Sequence, residues 1–211
     1  MDTELLTAAI HSFFMALGLL TPLGIQNIFI FNQGASHPRI INAMPSVITA
    51  GVSDTILISM AIFGVSTLVL KILWLKELIF IIGFIFLSYM GFVTWRNSNN
   101  VNLKDDSHIP MNAKQQILFG LGVSFLNPHA IIDTVTVMGA NSLHYQGTAK
   151  IIFTLGCIIA SWVWFIFLSI LGNRVSKLSN SSVILAYANK LSAIIIWLVA
   201  AYIATCIYRG E

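Results

Sequence analysis

Charge is the feature that most constrains this chain. Residues 5–38 contain no Asp, Glu, Lys or Arg, and neither do residues 78–95, 151–173 and 191–208. Residues 40–70 carry a single charge, Asp54, and residues 115–149 a single charge, Asp133. A helix needs ~20 apolar residues to cross a bilayer, and in lipid only helices and closed barrels satisfy their own backbone. Six such stretches in 211 residues leave little chain for anything soluble. The expectation is an all-α membrane protein of six transmembrane helices, with residues 1–211 forming one membrane domain in the cell membrane of a bacterial-type cell. Composition agrees: 9% of residues are charged, against about 25% in soluble domains, and the mean hydropathy is +0.85.

The N-terminus carries Asp2 and Glu4 and no basic segment. It does not read as a signal peptide, so the first apolar stretch stays as a helix. Residues 97–112, rich in Asn, Asp and Ser, read as a flexible linker. The linker, about 97–113, divides the chain into pseudo-repeats of about 5–96 and 114–209, with three helices each. Lys71, Trp74 and Lys76 suggest a tight turn anchored at the interface. With alternating crossings, Arg39, Arg96, Lys104, Lys114, Arg174, Lys177 and Lys190 fall on one side, and Lys71, Lys76, Lys150 and Arg209 on the other. The richer side is the cytoplasmic one by the positive-inside rule, which puts both termini outside. The net charge of +3 is loop charge. No basic cluster interleaved with aromatics points to nucleic acid. Cys157 and Cys206 stand alone in apolar stretches and read as small core residues.

Two helices contain a proline at a matching place: Leu20-Thr21-Pro22-Leu23-Gly24-Ile25-Gln26-Asn27 in the first and Leu126-Asn127-Pro128-His129-Ala130-Ile131-Ile132-Asp133 in the fourth. Aligning Pro22 with Pro128 pairs Thr21 with Asn127 and Asn27 with Asp133. Each half has an odd number of helices, so the halves insert upside down relative to each other. Inverted repeats with broken helices in corresponding positions are a secondary-transporter design. Thr and Asn are N-cap residues and Pro favours the first helical position. Thr21-Pro22 and Asn127-Pro128 are therefore expected to start new half-helices inside the membrane. Such a start presents N–H groups and partial positive charge to a carboxylate. The bland alternative is a pair of proline kinks that only shape packing.

Asp54 and Asp133 are the charges well inside the helices. An intramembrane carboxylate costs on the order of 3 kcal/mol on insertion scales and usually marks a transport path; either can carry a proton or meet an ammonium group. Ala50, Gly51, Asp54 and Ala61 share one face of the second helix, and His129, Ala130, Asp133, Thr136 and Ala140 one face of the fourth. His129 lies one turn before Asp133, within reach of a hydrogen bond, and Gln26 and Asn27 follow the first break. A structural role, with the aspartates satisfied by neighbouring Ser, Asn or His, is the competing reading. The candidate substrate-binding set is Thr21, Pro22, Gln26, Asn27, Asp54, Asn127, Pro128, His129 and Asp133.

These segments resemble the LysE family of basic amino-acid exporters. The resemblance rests on Gly18-Leu19-Leu20-Thr21-Pro22-Leu23-Gly24-Ile25-Gln26-Asn27, on Ser53-Asp54-Thr55-Ile56-Leu57, and on Ser124-Phe125-Leu126-Asn127-Pro128-His129-Ala130-Ile131-Ile132-Asp133-Thr134. It extends over nearly the whole chain. The Asn-Pro-His…Asp form resembles the lysine/arginine branch more than the homoserine/threonine branch. Ile25 stands where the family often has a second proline. The resemblance implies export of a small amino acid driven by a proton or ion gradient, with no cofactor, and the chain has no GxxxxGK[ST] phosphate loop. Homo-oligomerisation is left open. Two other readings compete. A metal-cation exporter of similar architecture would use Asp and His, but neither break has a nearby cysteine. An intramembrane aspartyl protease would use two carboxylates, but Gly51-Val52-Ser53-Asp54 and Ile131-Ile132-Asp133-Thr134 lack the Gly-x-Gly-Asp form of such enzymes.

Overall fold

In a computed structural model of the chain, residues 2–21, 24–64 and 110–177 are described, together with helical positions between 81 and 96 and between 190 and 205. The described residues form helices joined by turns, with no strand among them. The helices are α1 (Asp2–Leu20), α2 (Ile25–Ser36), α3 (Met44–Ile62), α4 (Ala113–Phe125), α5 (Pro128–Asp133), α6 (Ala140–Ser142) and α7 (Gly147–Val175). A 3₁₀ turn, Ile40–Ala43, leads into α3, and a π-helical stretch, Thr134–Gly139, joins α5 to α6.

Among the described residues, three helical segments are long and apolar enough to cross a membrane: Thr3–Leu20, Ile40–Ile62 and Gly147–Val175. A fourth consists of Ala113–Phe125 and Ala130–Ser142, bent by 61° at the break between them. These account for the first, second, fourth and fifth of the expected spans. The third and sixth, residues 78–95 and 191–208, are described only at scattered helical positions. The expected interface turn at Lys71, Trp74 and Lys76, most of the 97–113 linker, and Cys206 lie outside the described residues.

The long helix α7 is the spine against which both pieces of the broken first span lie. At 1.5 Å per residue its 29 residues reach about 43 Å, more than the hydrocarbon layer. Its N-terminal half packs Phe153, Cys157 and Ala160 against Ala8 and Ala16 of α1. Its C-terminal half packs Phe165 and Leu168 against Phe29 and Ile30 of α2 and Val47 and Ala50 of α3. The opposite faces of these helices, with Leu6, Ile10 and Phe14 on α1, Ile48, Val52 and Ile56 on α3, and Leu155 and Ile159 on α7, are exposed and apolar. That is the surface a bilayer solvates.

Small residues set the helix spacing, as membrane interfaces require. A Cβ at Gly172 of α7 would collide with the Phe31 carbonyl of α2, and one at Gly34 with the Ser169 carbonyl, whereas a Cβ at Gly18 meets nothing within 4 Å. Gly172→Ala should therefore destabilise the bundle by about 1–3 kcal/mol through overpacking. Gly18→Ala should be neutral or slightly stabilising, since alanine is the better helix former. Thermal unfolding of the two purified variants in detergent checks this; equal melting temperatures would show that α2 and α7 have room to move apart.

The described helix ends gather at two places. The end of α2, the starts of α3 and α4 and the end of α7 meet around His37, where Gln116 bonds to the Asn42 carbonyl and Asn173 to the His37 carbonyl. The opposite end brings the end of α3 to the start of α7, with the Lys150 ammonium 5.7 Å from the Phe63 ring centroid. There His11 of α1 also meets Tyr145 at 2.9 Å.

Candidate functional site

The first break differs in detail from the sequence expectation. Thr21 does not cap a new half-helix. Its N–H still bonds to the Leu17 carbonyl at 2.9 Å, and its hydroxyl donates to the same oxygen at 2.6 Å. Thr can serve either helix end, and in the last turn its hydroxyl bonds back to the carbonyl four residues earlier. α2 starts only at Ile25, with Gly24 in extended conformation at the N-cap position and no side-chain cap. The break thus lies between Leu20 and Ile25, and Pro22 and Leu23 themselves lie outside the described residues.

Asn27 crosses this break. Its Nδ2 donates to the carbonyl of Leu20, the last residue of α1. Trp164 of α7 donates its indole N–H to Asn27 Oδ1 at 3.3 Å. A helix end leaves four carbonyls without intrahelical donors; Thr21 and Asn27 each supply a donor to the end of α1. Asn27 therefore ties together α1, α2 and the middle of the spine.

Gln26, next in sequence, faces the other way. Its Nε2 donates to Asp54 Oδ1 of α3 at 3.1 Å, and its Oε1 accepts from the Ser124 hydroxyl of α4 at 3.2 Å. Asp54 and Gln26 are half-buried and Ser124 is fully buried. Ser124 lies three residues before Asn127, so this chain of hydrogen bonds joins the first break to the second. The apolar neighbours agree. Ile25 just after the first break and Val123 just before the second are buried in one cluster with Ile196 and Ala200, against which Phe119 and Ile132 pack. Two breaks a hundred residues apart in sequence are thus neighbours in space.

The second break matches the expectation in place and not in capping. Asn127 is extended (φ −97°, ψ 96°) at the N-cap position of α5, with Pro128 in the first turn, but its side chain makes no cap hydrogen bond. Asn127 Oδ1 is buried with no hydrogen-bond partner among the described residues. Asp133 is half-buried at the end of α5, and the Thr136 hydroxyl donates to the Ile132 carbonyl at 2.8 Å. Pro128 and His129 are helical, and the expected His129–Asp133 hydrogen bond involves a side chain outside the description. On the fourth-span face, Thr136 and Ala140 are exposed; on the second-span face, Ala50, Gly51 and Ala61 are buried.

Three participants escaped the sequence reading. Ser124 is an ordinary serine in an apolar helix, betrayed only by its place before Asn127-Pro128. Trp164 carries no local signal. Trp162 donates to the Thr55 hydroxyl at 3.2 Å, and its ring occupies the space beside Gly51, one turn from Asp54.

The sequence profile described as LysE type translocator matches residues 17–206, which includes both breaks and both membrane aspartates. The chain belongs to the LysE translocator family. Among curated relatives, this LysE translocator is similar to YisU of Bacillus subtilis (strain 168), described as a candidate amino-acid transporter: 41% identity over 203 residues, covering 96% of this chain and 91% of the relative. It is also similar to the arginine exporter protein ArgO of Salmonella typhimurium (strain LT2), 32% identical with 92% of each chain covered. ArgO of Escherichia coli O157:H7 is 32% identical with 90% of each chain covered. No solved structure matches. LysE translocators are multi-pass membrane proteins that move amino acids, a family of transporters and not of enzymes. The described apolar helices, with the bent pair Ala113–Phe125 and Ala130–Ser142 among them, fit that membership.

Proposed function

We propose that this LysE translocator exports a basic amino acid, arginine or lysine, by alternating access driven by a proton or ion gradient. The observation that carries the reading is the Asp54–Gln26–Ser124 hydrogen-bond chain, in which Gln26, just after the first break, bonds both to Asp54 and to Ser124, just before the second. The amide of Gln26 gives Asp54 one hydrogen bond and no charge. An ammonium or guanidinium group supplies both, and Asp133, beyond the second break, can take the substrate's other cation. Asn127 Oδ1, buried without a partner among the described residues, can accept from the same ligand. The substrate carboxylate is received by the first turn of the 12-residue α2, where N–H groups lack intrahelical acceptors and the helix dipole is positive. Thr21, Pro22, Asn27, Pro128 and His129 complete the site as the residues that form the breaks and flank the two aspartates.

The reading places six spans in two inverted repeats, about 5–96 and 114–209, rocking about the breaks. The convergence of the two breaks and the gathering of the described helix ends at two places support it. The names of the ArgO relatives support arginine as substrate, and they favour neither a metal cation nor peptide cleavage. Homo-oligomerisation is compatible with the exposed apolar faces.

Efflux from proteoliposomes decides the substrate. Labelled arginine or lysine loaded inside should leave faster than from protein-free vesicles, and an imposed proton or sodium gradient should accelerate it. Efflux of homoserine or threonine alone would move the chain to the family's neutral branch. No efflux of any amino acid would overturn the reading.

A further inference from the structure

A second buried polar cluster lies at the end of the bundle that carries Arg39, Lys114, Arg174 and Lys177, and the proposed transport site does not use it. His37, 5% exposed, follows the last turn of α2. Its Nδ1 lies 2.8 Å from the Gln33 carbonyl, and its Nε2 lies 3.3 Å from the Met111 carbonyl. Gln116 of α4, 1% exposed, is the hub. Its Nε2 donates to the Asn42 and Met111 carbonyls, each at 2.9 Å, and lies 3.3 Å from His37 Nε2. Its Oε1 accepts the Ser46 N–H at 3.2 Å. Asn173 of α7 donates to the His37 carbonyl at 2.8 Å and to the Gly34 carbonyl at 3.3 Å.

Capping the end of α2 needs only a local donor for each orphan carbonyl. Here Gln116 and Asn173 arrive from the second half of the chain and fasten onto residues 34–46 of the first. The cluster also stands in register with the transport site. Along α4 the steps Ser124, Gly120 and Gln116 each descend one turn, and along α3 so do Asp54, Ala50 and Ser46. Between the two polar layers the Phe29 and Phe119 rings stack with centroids 4.3 Å apart, and Gly120 sits against Thr49. From the Asp54–Gln26–Ser124 layer toward this end come first the stacked rings and then the polar cluster.

We infer that the His37–Gln116–Asn173 network, with Phe29 and Phe119 above it, is the closed gate on the side bearing Arg39, Lys114, Arg174 and Lys177. Opening that side swings the first turns of α4 away from the α2–α3 junction. The gate is polar because its donors and carbonyls exchange their partners for water when it opens, so it can cycle; an all-apolar seal would expose bare surface. The inference rests on the layer around Asp54 being the transport site. Its test uses no amino acid, so its failure and the failure of arginine export are separate results.

A cysteine placed by Ser124→Cys in the full-length chain reports access, with the parent chain giving the background from Cys157 and Cys206. A membrane-impermeant maleimide is applied to reconstituted vesicles from either side. The expected result is slow labelling from the Arg39 and Arg174 side and faster labelling from the opposite side. Gln116→Leu and the gentler Gln116→Glu each remove donors, and loss of one or two net hydrogen bonds shifts the open-to-closed ratio, and so gate-side labelling, about tenfold. Equal labelling from both sides before Gln116 is changed overturns the gate. So does unaltered gate-side labelling in both Gln116 variants when they run as intact protein on size exclusion. If neither variant reaches the membrane, the two-sided comparison with Gln116 intact decides alone.

Discussion

Asp54→Asn should abolish most export of arginine while leaving the protein folded and inserted. The substitution is nearly isosteric, and asparagine Oδ1 can still accept the 3.1 Å hydrogen bond from Gln26, so the chain through Gln26 to Ser124 survives. What is lost is the charge. Truncating a buried charged contact costs about 2–5 kcal/mol, a factor of roughly 30 or more. Efflux of labelled arginine should fall by at least that factor, with membrane abundance and the size-exclusion profile unchanged. Gln26→Leu separates the charge from its holder. It removes the amide that orients the carboxylate and keeps the charge, so its effect should be smaller, on the order of the 1.5–3 kcal/mol expected of a hydrogen bond to a charged group. Asp133→Asn, on the far side of the second break, should match Asp54→Asn if each aspartate meets one cation of the substrate. Near-normal efflux by both Asn variants would sink the charge-pairing reading and leave Asp54 as a structural partner of Gln26.

The difference between what the sequence reveals and what only the fold reveals follows from range. The spans are legible because a bilayer forbids charge over ~20 residues, and that constraint is written one residue at a time. The second break is legible for a related reason: proline forbids a hydrogen bond wherever it stands, and Asn127-Pro128 does bend the span. Thr21 is ambiguous because one hydroxyl can cap the start of a helix or bond back at its end. In this chain the end of α1 claims it, and the start of α2 slips to Ile25. The π-helical turn at Thr134–Gly139 has no composition to announce it; it lies where Gly139 comes within 3.2 Å, measured from an ideal Cβ, of the Ala61 carbonyl across the bundle. His37 and Gln116, 79 residues apart, meet through no periodicity, so only the assembled helix ends bring them together. Asp54 and Gln26 stand out separately by polarity in an apolar context, and Ser124, which links them to the second break, does not, because a lone serine in a membrane helix hides easily in its own turn.

Pro128→Ala should straighten the fourth span and reduce transport far more than it reduces expression. In a continuous helix a proline at position 128 would have no N–H to offer the Ser124 carbonyl, and a proline ring clashes with the carbonyl four residues earlier. Alanine restores the donor and, in a helix interior, is favoured by about 3 kcal/mol over proline. That is enough to pull Asn127 out of its extended conformation and into a continuous helix. Straightening swings α5 away from the Ile25–Val123 cluster and carries Asp133 with it, so the two carboxylates no longer flank one substrate. Arginine efflux should drop by about tenfold or more, the equivalent of 1.4 kcal/mol or greater. Pro45→Ala is the matched control, since Pro45 sits in the first turn of α3, where proline replaces a donor that has no partner anyway; transport should hardly change. The bend itself can be read directly. Spin labels at Leu118 and Ala140, both exposed, flank the 61° bend, and at 1.5 Å per residue its removal lengthens their separation by about 4 Å. A Pro128→Ala protein that lengthens and still exports at the original rate would reduce the break to a packing kink. One that keeps its bend and its activity would show that Asn127 and the cluster around Val123 hold the bend without proline. The expected pairing is a longer distance with lost efflux, and Pro22→Ala at the first break should lose efflux in the same way.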